Sequence, residues 1–168
     1  MSKAFVREDD SAEDPLPRAT TPVLLPGEKN YLTPAGAHRL REAVAELKHE
    51  RLSLAAPPVS AGARGELHEI DRRLRAMEES LRTAEIVSAP EKPWNVVRLG
   101  AIVRVRDPAG AESRYHIVGV DEADAARDCV SWRSPIARAL LQAELGQKVV
   151  FEFPKGRTEL EIVEITYP

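Results

Sequence analysis

Chemistry needs donors and acceptors at workable spacings, and few side chains here meet that test. Glu66 and Glu69 lie three apart. On a helix that spacing puts both carboxylates on one face, and one or two carboxylates are what a hard cation such as Mg²⁺ takes from a protein. A solvated helix face shows the same spacing, and it is the simpler account. His49 and His68 fall near the facing ends of two successive helical stretches, without a third ligand, and His38 and His116 lie apart from them. Cys129 is the single cysteine, which excludes an intramolecular disulfide and a cysteine-based zinc site. Its apolar strand context reads as that of a small core residue. Ser134 has no histidine or other base arranged beside it to make a nucleophile. Followed by Pro135, it reads as a helix N-cap. Over residues 52–65 there is no Asp or Glu, while Pro57, Pro58 and Arg64 stand there. Such a segment repels a cation. These residues point to no catalytic group, no metal site and no cofactor.

The elements that position these residues follow from composition and period. The chain has 168 residues, is 43% apolar and 30% charged, and carries a net charge of −3. That balance suits a soluble globular protein and argues against sequence-specific duplex binding driven by positive charge. No apolar run approaches a membrane span of about 20 residues. The first residues lack the apolar stretch of a signal peptide, so the expected location is the cytoplasm. Residues 1–28 read as a disordered acidic, proline-rich tail. They hold Pro15, Pro17, Pro22 and Pro26, and the acids of 8–14, and bury too little to offset their ordering entropy.

Residues 29–90 read as an antiparallel helical hairpin. Thr33-Pro34 opens the first helix, predicted over 33–56, with Leu40, Val44, Leu47 and Leu54 on one stripe; Pro57-Pro58 ends it. The second, predicted over 66–88, carries Leu67, Ile70, Leu74, Met77, Leu81 and Ala84 at alternating spacings of three and four. That is a coiled-coil seam. At ~1.5 Å per residue each arm is roughly 35 Å long, with most of its surface wet. After a linker over 89–95 the period changes to that of strands. Residues 101–106 and 113–120 flank the turn Asp107-Pro108-Ala109-Gly110, 129–132 form a short strand, and Ser134-Pro135 opens a short helix over 136–141. Residues 148–153 and 158–167 form a last hairpin. In that last strand the apolar phase changes between Ile162 and Val163, which predicts a β-bulge there. The predicted fold is α+β: a helical coiled-coil hairpin, then an antiparallel sheet unit over 91–168 with one short helix.

Particular segments carry a resemblance. They are the opening Met1-Ser2-Lys3-Ala4-Phe5, the stretch Asn30-Tyr31-Leu32-Thr33-Pro34-Ala35-Gly36, the run Glu69-Ile70-Asp71-Arg72-Arg73-Leu74, and above all two later blocks. These are Ile117-Val118-Gly119-Val120-Asp121-Glu122-Ala123-Asp124 and Ser134-Pro135-Ile136-Ala137-Arg138-Ala139-Leu140-Leu141. Over about residues 29–168 the chain resembles the bacterial Gre transcript-cleavage and transcription elongation factors, the GreA/GreB family, and its GreB branch most closely. The resemblance implies an FKBP-like second domain that docks on RNA polymerase at the rim of the secondary channel, against a coiled coil of the β′ subunit. On that reading Asp121, Glu122, Ser134, Pro135, Ile136 and Arg138 match the segments facing polymerase, and the hairpin enters the channel. Prolyl isomerase activity, the other implication of an FKBP-like fold, is not expected. Trp94, Tyr115, Trp132, Phe151, Phe153 and Tyr167 stand mostly at alternating strand positions that suit packing.

The family's hairpin tip carries acidic residues that help hold Mg²⁺ for RNA cleavage by the polymerase. This chain departs from that pattern. Its tip, here Pro57, Pro58, Arg64 and Glu66, is shorter by roughly a dozen residues, about 9 Å per arm, and lacks the acidic motif. The resemblance therefore implies an accessory factor that binds polymerase without stimulating cleavage. Two alternatives remain open: an active cleavage factor using Glu66 and Glu69, and an adaptor whose docking unit binds another protein.

Overall fold

The computed structural model describes residues 27–57, 61–153 and 156–168. The expectations for the acidic tail and for Pro58 lie outside them. In chain order the elements are β1 (Asn30–Leu32), α1 (Pro34–Leu54), α2 (Ala61–Thr83), β2 (Ala84–Ile86), β3 (Ile102–Arg106), β4 (Glu112–Val118), β5 (Cys129–Ser131), α3 (Pro135–Leu140), β6 (Lys148–Phe153) and β7 (Gly156–Thr166). Single 3₁₀ turns at Val120–Glu122 and Ala125–Arg127 lie between β4 and β5.

The helix signals work as local physics requires. Thr33 is extended, its hydroxyl accepts from the Gly36 amide at 3.0 Å, and Pro34 takes the first helical position, where its missing N–H costs nothing. α1 and α2 pack antiparallel through Val44, Leu47, Ile70 and Leu74, with Leu54, Met77 and Leu81 beside them. Arg51 to Asp71 at 2.6 Å and Lys48 to Glu78 at 2.7 Å tie the arms across the seam. α2 begins at Ala61, earlier than residue 66, so Arg64 lies in its first turn rather than in a loop, while Glu66 is helical as expected.

α2 also ends sooner than expected, at Thr83 rather than residue 88. Residues 84–86 form β2, which runs parallel to β1 with Asn30 opposite Ala84 and Leu32 opposite Ile86. The apolar spacing continues through Ala84. Pairing with β1 supplies the backbone bonds that helix would otherwise have made, including Val87 N–H to the Leu32 carbonyl at 2.9 Å.

The five-stranded sheet has the order β5-β4-β3-β7-β6. Three of its pairings are antiparallel, as predicted. The fourth, β4 with β5, is parallel, so the sheet is mixed at that edge. The reason is the connection. Residues 119–128 cross back through two 3₁₀ turns instead of closing a tight hairpin, and a parallel return needs such a crossover. The predicted bulge is present: Arg104 lies opposite Glu164 but Val105 lies opposite Ile162, leaving Val163 as the extra residue. Leu160, Ile162, Ile165 and Tyr167 then share one buried face. They join Val103, Val105, Ile117, Ile136 and Leu140 in the main core. Trp94, Tyr115 and Trp132 pack against that core and Phe151 lies within it, so these aromatics fill the fold rather than line an open pocket.

Candidate functional site

The site is built where the hairpin base meets the sheet. Gly119 follows β4 directly. A Cβ there would stand 2.1 Å from the Tyr31 carbonyl oxygen, so only glycine lets β1 approach this closely. The approach brings Glu122 against the start of α1. Its side chain is 3% exposed. One carboxylate oxygen accepts from the Thr33 amide at 3.0 Å and the Gly119 amide at 2.9 Å. The other accepts from the Thr33 hydroxyl at 2.5 Å and lies 3.7 Å from the Arg39 guanidinium. Gly36 makes room: a Cβ on it would fall 1.5 Å from Glu122 Oε1. Thr33 thus caps α1 with one lone pair and donates to Glu122 with its proton. One buried carboxylate joins hairpin and sheet.

Asp121 is exposed on the outer side of the same turn. It accepts from the Ser80 hydroxyl near the end of α2. Ser80 in turn accepts from Asn30 Nδ2 at 3.0 Å through both its hydroxyl and its carbonyl. β1, α2 and the 120–122 turn therefore hold the Asp121 carboxylate in one orientation.

Parallel pairing of β4 and β5 places Val118 opposite Ser131. Both strands then exit at the same end of the sheet, which brings the Asp121 turn and the Ser134-Pro135 turn side by side. Ser134 is 1% exposed and accepts from the Ala137 amide at 3.2 Å as N-cap of α3. Ile136 is 4% exposed and belongs to the core. Of the six residues matched to a docking surface, then, Asp121, Pro135 and Arg138 face solvent. Glu122, Ser134 and Ile136 are turned inward, because cap, latch and core claim them; they shape the surface without presenting a side chain on it. Tyr31 packs edge-on against Trp132 at 5.5 Å, and Arg133 pairs with Glu28 at 3.0 Å, which fastens the entry to β1 onto the same end.

A cleft of about 540 Å³ opens beneath, lined among others by Arg39, Met77, His116, Asp121 and Cys129. His116 Nδ1 lies 3.7 Å from Cys129 Sγ. Burial pushes the imidazole down and the thiol up from their ordinary ranges, so both are neutral at pH 7 and the thiol is a poor nucleophile.

At the far end of the hairpin, Pro57, Arg64 and Glu66 are exposed, as is Leu52 at 68%. Glu69 does not face Glu66 as a free ligand. Arg72 holds it in a two-bond fork at 3.0 and 2.6 Å, and that fork keeps its carboxyl below the usual range. His49 and His68 are exposed. Among the described residues no group of three or more His, Cys, Asp or Glu could hold a metal ion, and no helix is long and apolar enough to cross a membrane.

Sequence reasoning missed the latch. Thr33 was legible as a cap, but Arg39 and Gly119 carried no separate signal. The one available hint was a glycine in the first turn of a capped helix, where alanine would ordinarily be better.

Residues 91–167 match the family model described as "Transcription elongation factor, GreA/GreB, C-term". The chain is 36% identical over 155 residues to transcription elongation factor GreB of Neisseria meningitidis serogroup B, covering 83% of this chain and 94% of that protein. It is 37% identical over 151 residues to GreB of Pseudomonas aeruginosa, covering 82% and 90%. Among solved structures it is similar to the GreA factor homolog Gfh1 of Thermus thermophilus, at 27% identity and a TM-score of 0.40, covering 83% of this chain and 99% of that one. Identity of 36–37% to these GreB proteins, over most of both chains, places this protein in the GreA/GreB family of transcription elongation factors.

Proposed function

We propose that this family member docks on RNA polymerase at the rim of the secondary channel, against the β′ coiled coil, and does not stimulate transcript cleavage. The acid-free tip carries this reading. Phosphodiester cleavage by a metal mechanism needs oxygen ligands that hold the ion and offset developing charge. Residues 52–65 contain no carboxylate, and Glu69, which shares a helix face with Glu66, is engaged by Arg72. The tip does not fit Mg²⁺, so no metal-dependent step is assigned to this chain. It is an accessory factor acting in the cytoplasm, and any RNA cut in its presence is cut by the polymerase itself. Asp121, Pro135 and Arg138 would make the contact, on a surface made rigid by the Glu122 latch and the Ser134 cap. A hairpin at the channel mouth with no ligand to deliver would compete with cleavage factors or change pausing by occupancy.

The test has two parts. Labelled protein should bind core polymerase, be displaced by an authentic cleavage factor, and bind at least tenfold more weakly as Asp121→Arg or Pro135→Arg. Stalled, backtracked complexes should show no more RNA cleavage with the protein than without it. Robust Mg²⁺-dependent cleavage would overturn the non-cleaving reading and favour Glu66 as a ligand. Absence of binding would overturn the docking reading and favour an adaptor with a different partner.

A further inference from the structure

β6 is the outermost strand of the sheet. β7 pairs with it on one side, and among the described residues no strand pairs with the other. The ladder fixes which backbone groups face that open side. Ile162 N–H donates to the Gln147 carbonyl at 2.9 Å, and Gly146 N–H donates to the Ile162 carbonyl at 2.8 Å. Backbone direction alternates along a strand. Val149 and Phe151 therefore turn amide and carbonyl toward β7, while Lys148, Val150 and Glu152 turn theirs outward. Side chains alternate between the faces as well. Val149 and Phe151 lie in the core, whereas Lys148, Val150 and Glu152 are exposed, Val150 at 46%. An open ladder flanked by β-branched and aromatic residues is a template for another strand.

The charges on this edge choose the partner. Let a second copy run antiparallel, with the two-fold axis at Val150. Val150 then faces its own counterpart, Lys148 faces the partner's Glu152, and Glu152 faces the partner's Lys148. All three are outward-facing residues, so each opposed pair exchanges both of its backbone bonds. Centring the axis on Lys148 or Glu152 sets like charges against each other, which is destabilising across strands. Centring it on Val149 or Phe151 leaves each charge without an opposite partner. One register out of these matches hydrogen bonds, charge and apolar contact together.

We propose that β6 is a self-association edge, through which two copies of this chain join antiparallel about Val150 into one continuous sheet. A single short strand from each copy buries far less than the ~1,200–2,000 Å² of a standard interface. The association is accordingly weak and concentration-dependent.

Sedimentation equilibrium on the full chain tests this. The mass should rise from 18.6 kDa toward twice that value as protein is concentrated into the high micromolar range and above. Lys148→Glu and Glu152→Lys should each weaken association by roughly tenfold or more, since both cross-strand ion pairs become repulsions. An equimolar mixture of the two variants should associate again, because each then offers the charge the other lacks. Lys148 also pairs with Glu159 of its own sheet at 3.0 Å. Val150→Lys, which sets like charges across the axis and leaves that pair intact, provides a third variant expected to stay monomeric. Circular dichroism confirms that each variant is folded. A wild-type chain that stays monomeric, folded variants that associate as the wild type does, or a variant mixture that stays apart would each overturn the proposal. The first outcome would leave the edge to a strand of another protein.

Discussion

Replacing Gly36 with alanine should destabilise this protein, although helix propensity alone predicts the opposite sign. Gly36 is the third residue of α1, where alanine would ordinarily gain up to about 1 kcal/mol. Here the added Cβ falls 1.5 Å from Glu122 Oε1 and 2.0 Å from its carboxyl carbon. The glutamate can swing aside, but only by abandoning the Thr33 amide, the Thr33 hydroxyl and the Gly119 amide. Hydrogen bonds to a charged group contribute about 1.5–3 kcal/mol each, and buried donors left without a partner cost a similar amount. These effects overlap, and breaking a buried charged cluster from one side typically costs about 3–5 kcal/mol. The net expectation is a loss of about 2–4 kcal/mol, which for a chain of this size lowers Tm by roughly 5–15 °C. Denaturant and thermal unfolding measure it. The decisive comparison is the cycle with Glu122→Ala. Glu122→Ala alone should cost about 2–4 kcal/mol, through the Thr33 and Gly119 donors it leaves without a partner, and adding Gly36→Ala on that background should then be neutral or stabilising, because nothing remains to displace. If Gly36→Ala stabilises the wild type, the latch is not where stability resides and the reasoning fails.

Other consequences are measurable. Gly119→Ala should be destabilising to a similar degree, since its Cβ would meet the Tyr31 backbone at 2.1 Å, and separation of β1 from the Gly119 turn should appear as lost amide protection at Thr33, whose N–H bonds Glu122 across that contact. His116 is held below its ordinary value near 6.5 by burial, so the unfolded chain binds the extra proton first. Stability should fall as pH drops below about 6.5 and level off once the folded imidazole also protonates; His116→Asn should remove that component of a pH titration of unfolding. The Arg51 guanidinium holds the Asp71 carboxyl below its usual range. That contribution is present at neutral pH and is lost as pH falls through the lowered value, so acid should loosen the hairpin arms slightly. Because the pair is exposed and screened by solvent, Arg51→Ala should have only a small effect at pH 7, readable as helicity lost in the arms. Ser80→Ala should leave the fold intact but free the Asp121 carboxylate from its hydrogen bond, and weaker polymerase binding by this variant would show that orientation at Asp121 matters.

Much of the architecture is legible in one dimension because its causes are local. Thr33-Pro34 and Ser134-Pro135 are caps whose chemistry lies within one turn of the residues they serve. The seam through Ile70 and Leu74 is a period, and a period needs no knowledge of the rest of the chain. The bulge at Val163 is the same kind of inference, since a phase change along a strand with one buried face has few other remedies. The absence of carboxylates over residues 52–65 is a matter of composition, and no fold could supply them from within that segment.

What the sequence left open depends on residues far apart in the chain. Thr33 and Glu122 are separated by 89 positions, and nothing near either one announces the other. Glu122 therefore looks, in sequence, like a surface acid beside Asp121, while in the structure it is the buried member of the pair. β2 reads as the end of a helix until β1, itself three residues long, offers it a parallel partner. Whether the Asp121 and Ser134-Pro135 turns meet was undecidable until β4 and β5 were seen to run parallel and exit together. Local propensity, periodicity and composition determined most of the elements and the absence of carboxylates over residues 52–65. Long-range packing alone decided which acids are buried, which face outward and which turns share a surface, because burial is a property of the assembled chain.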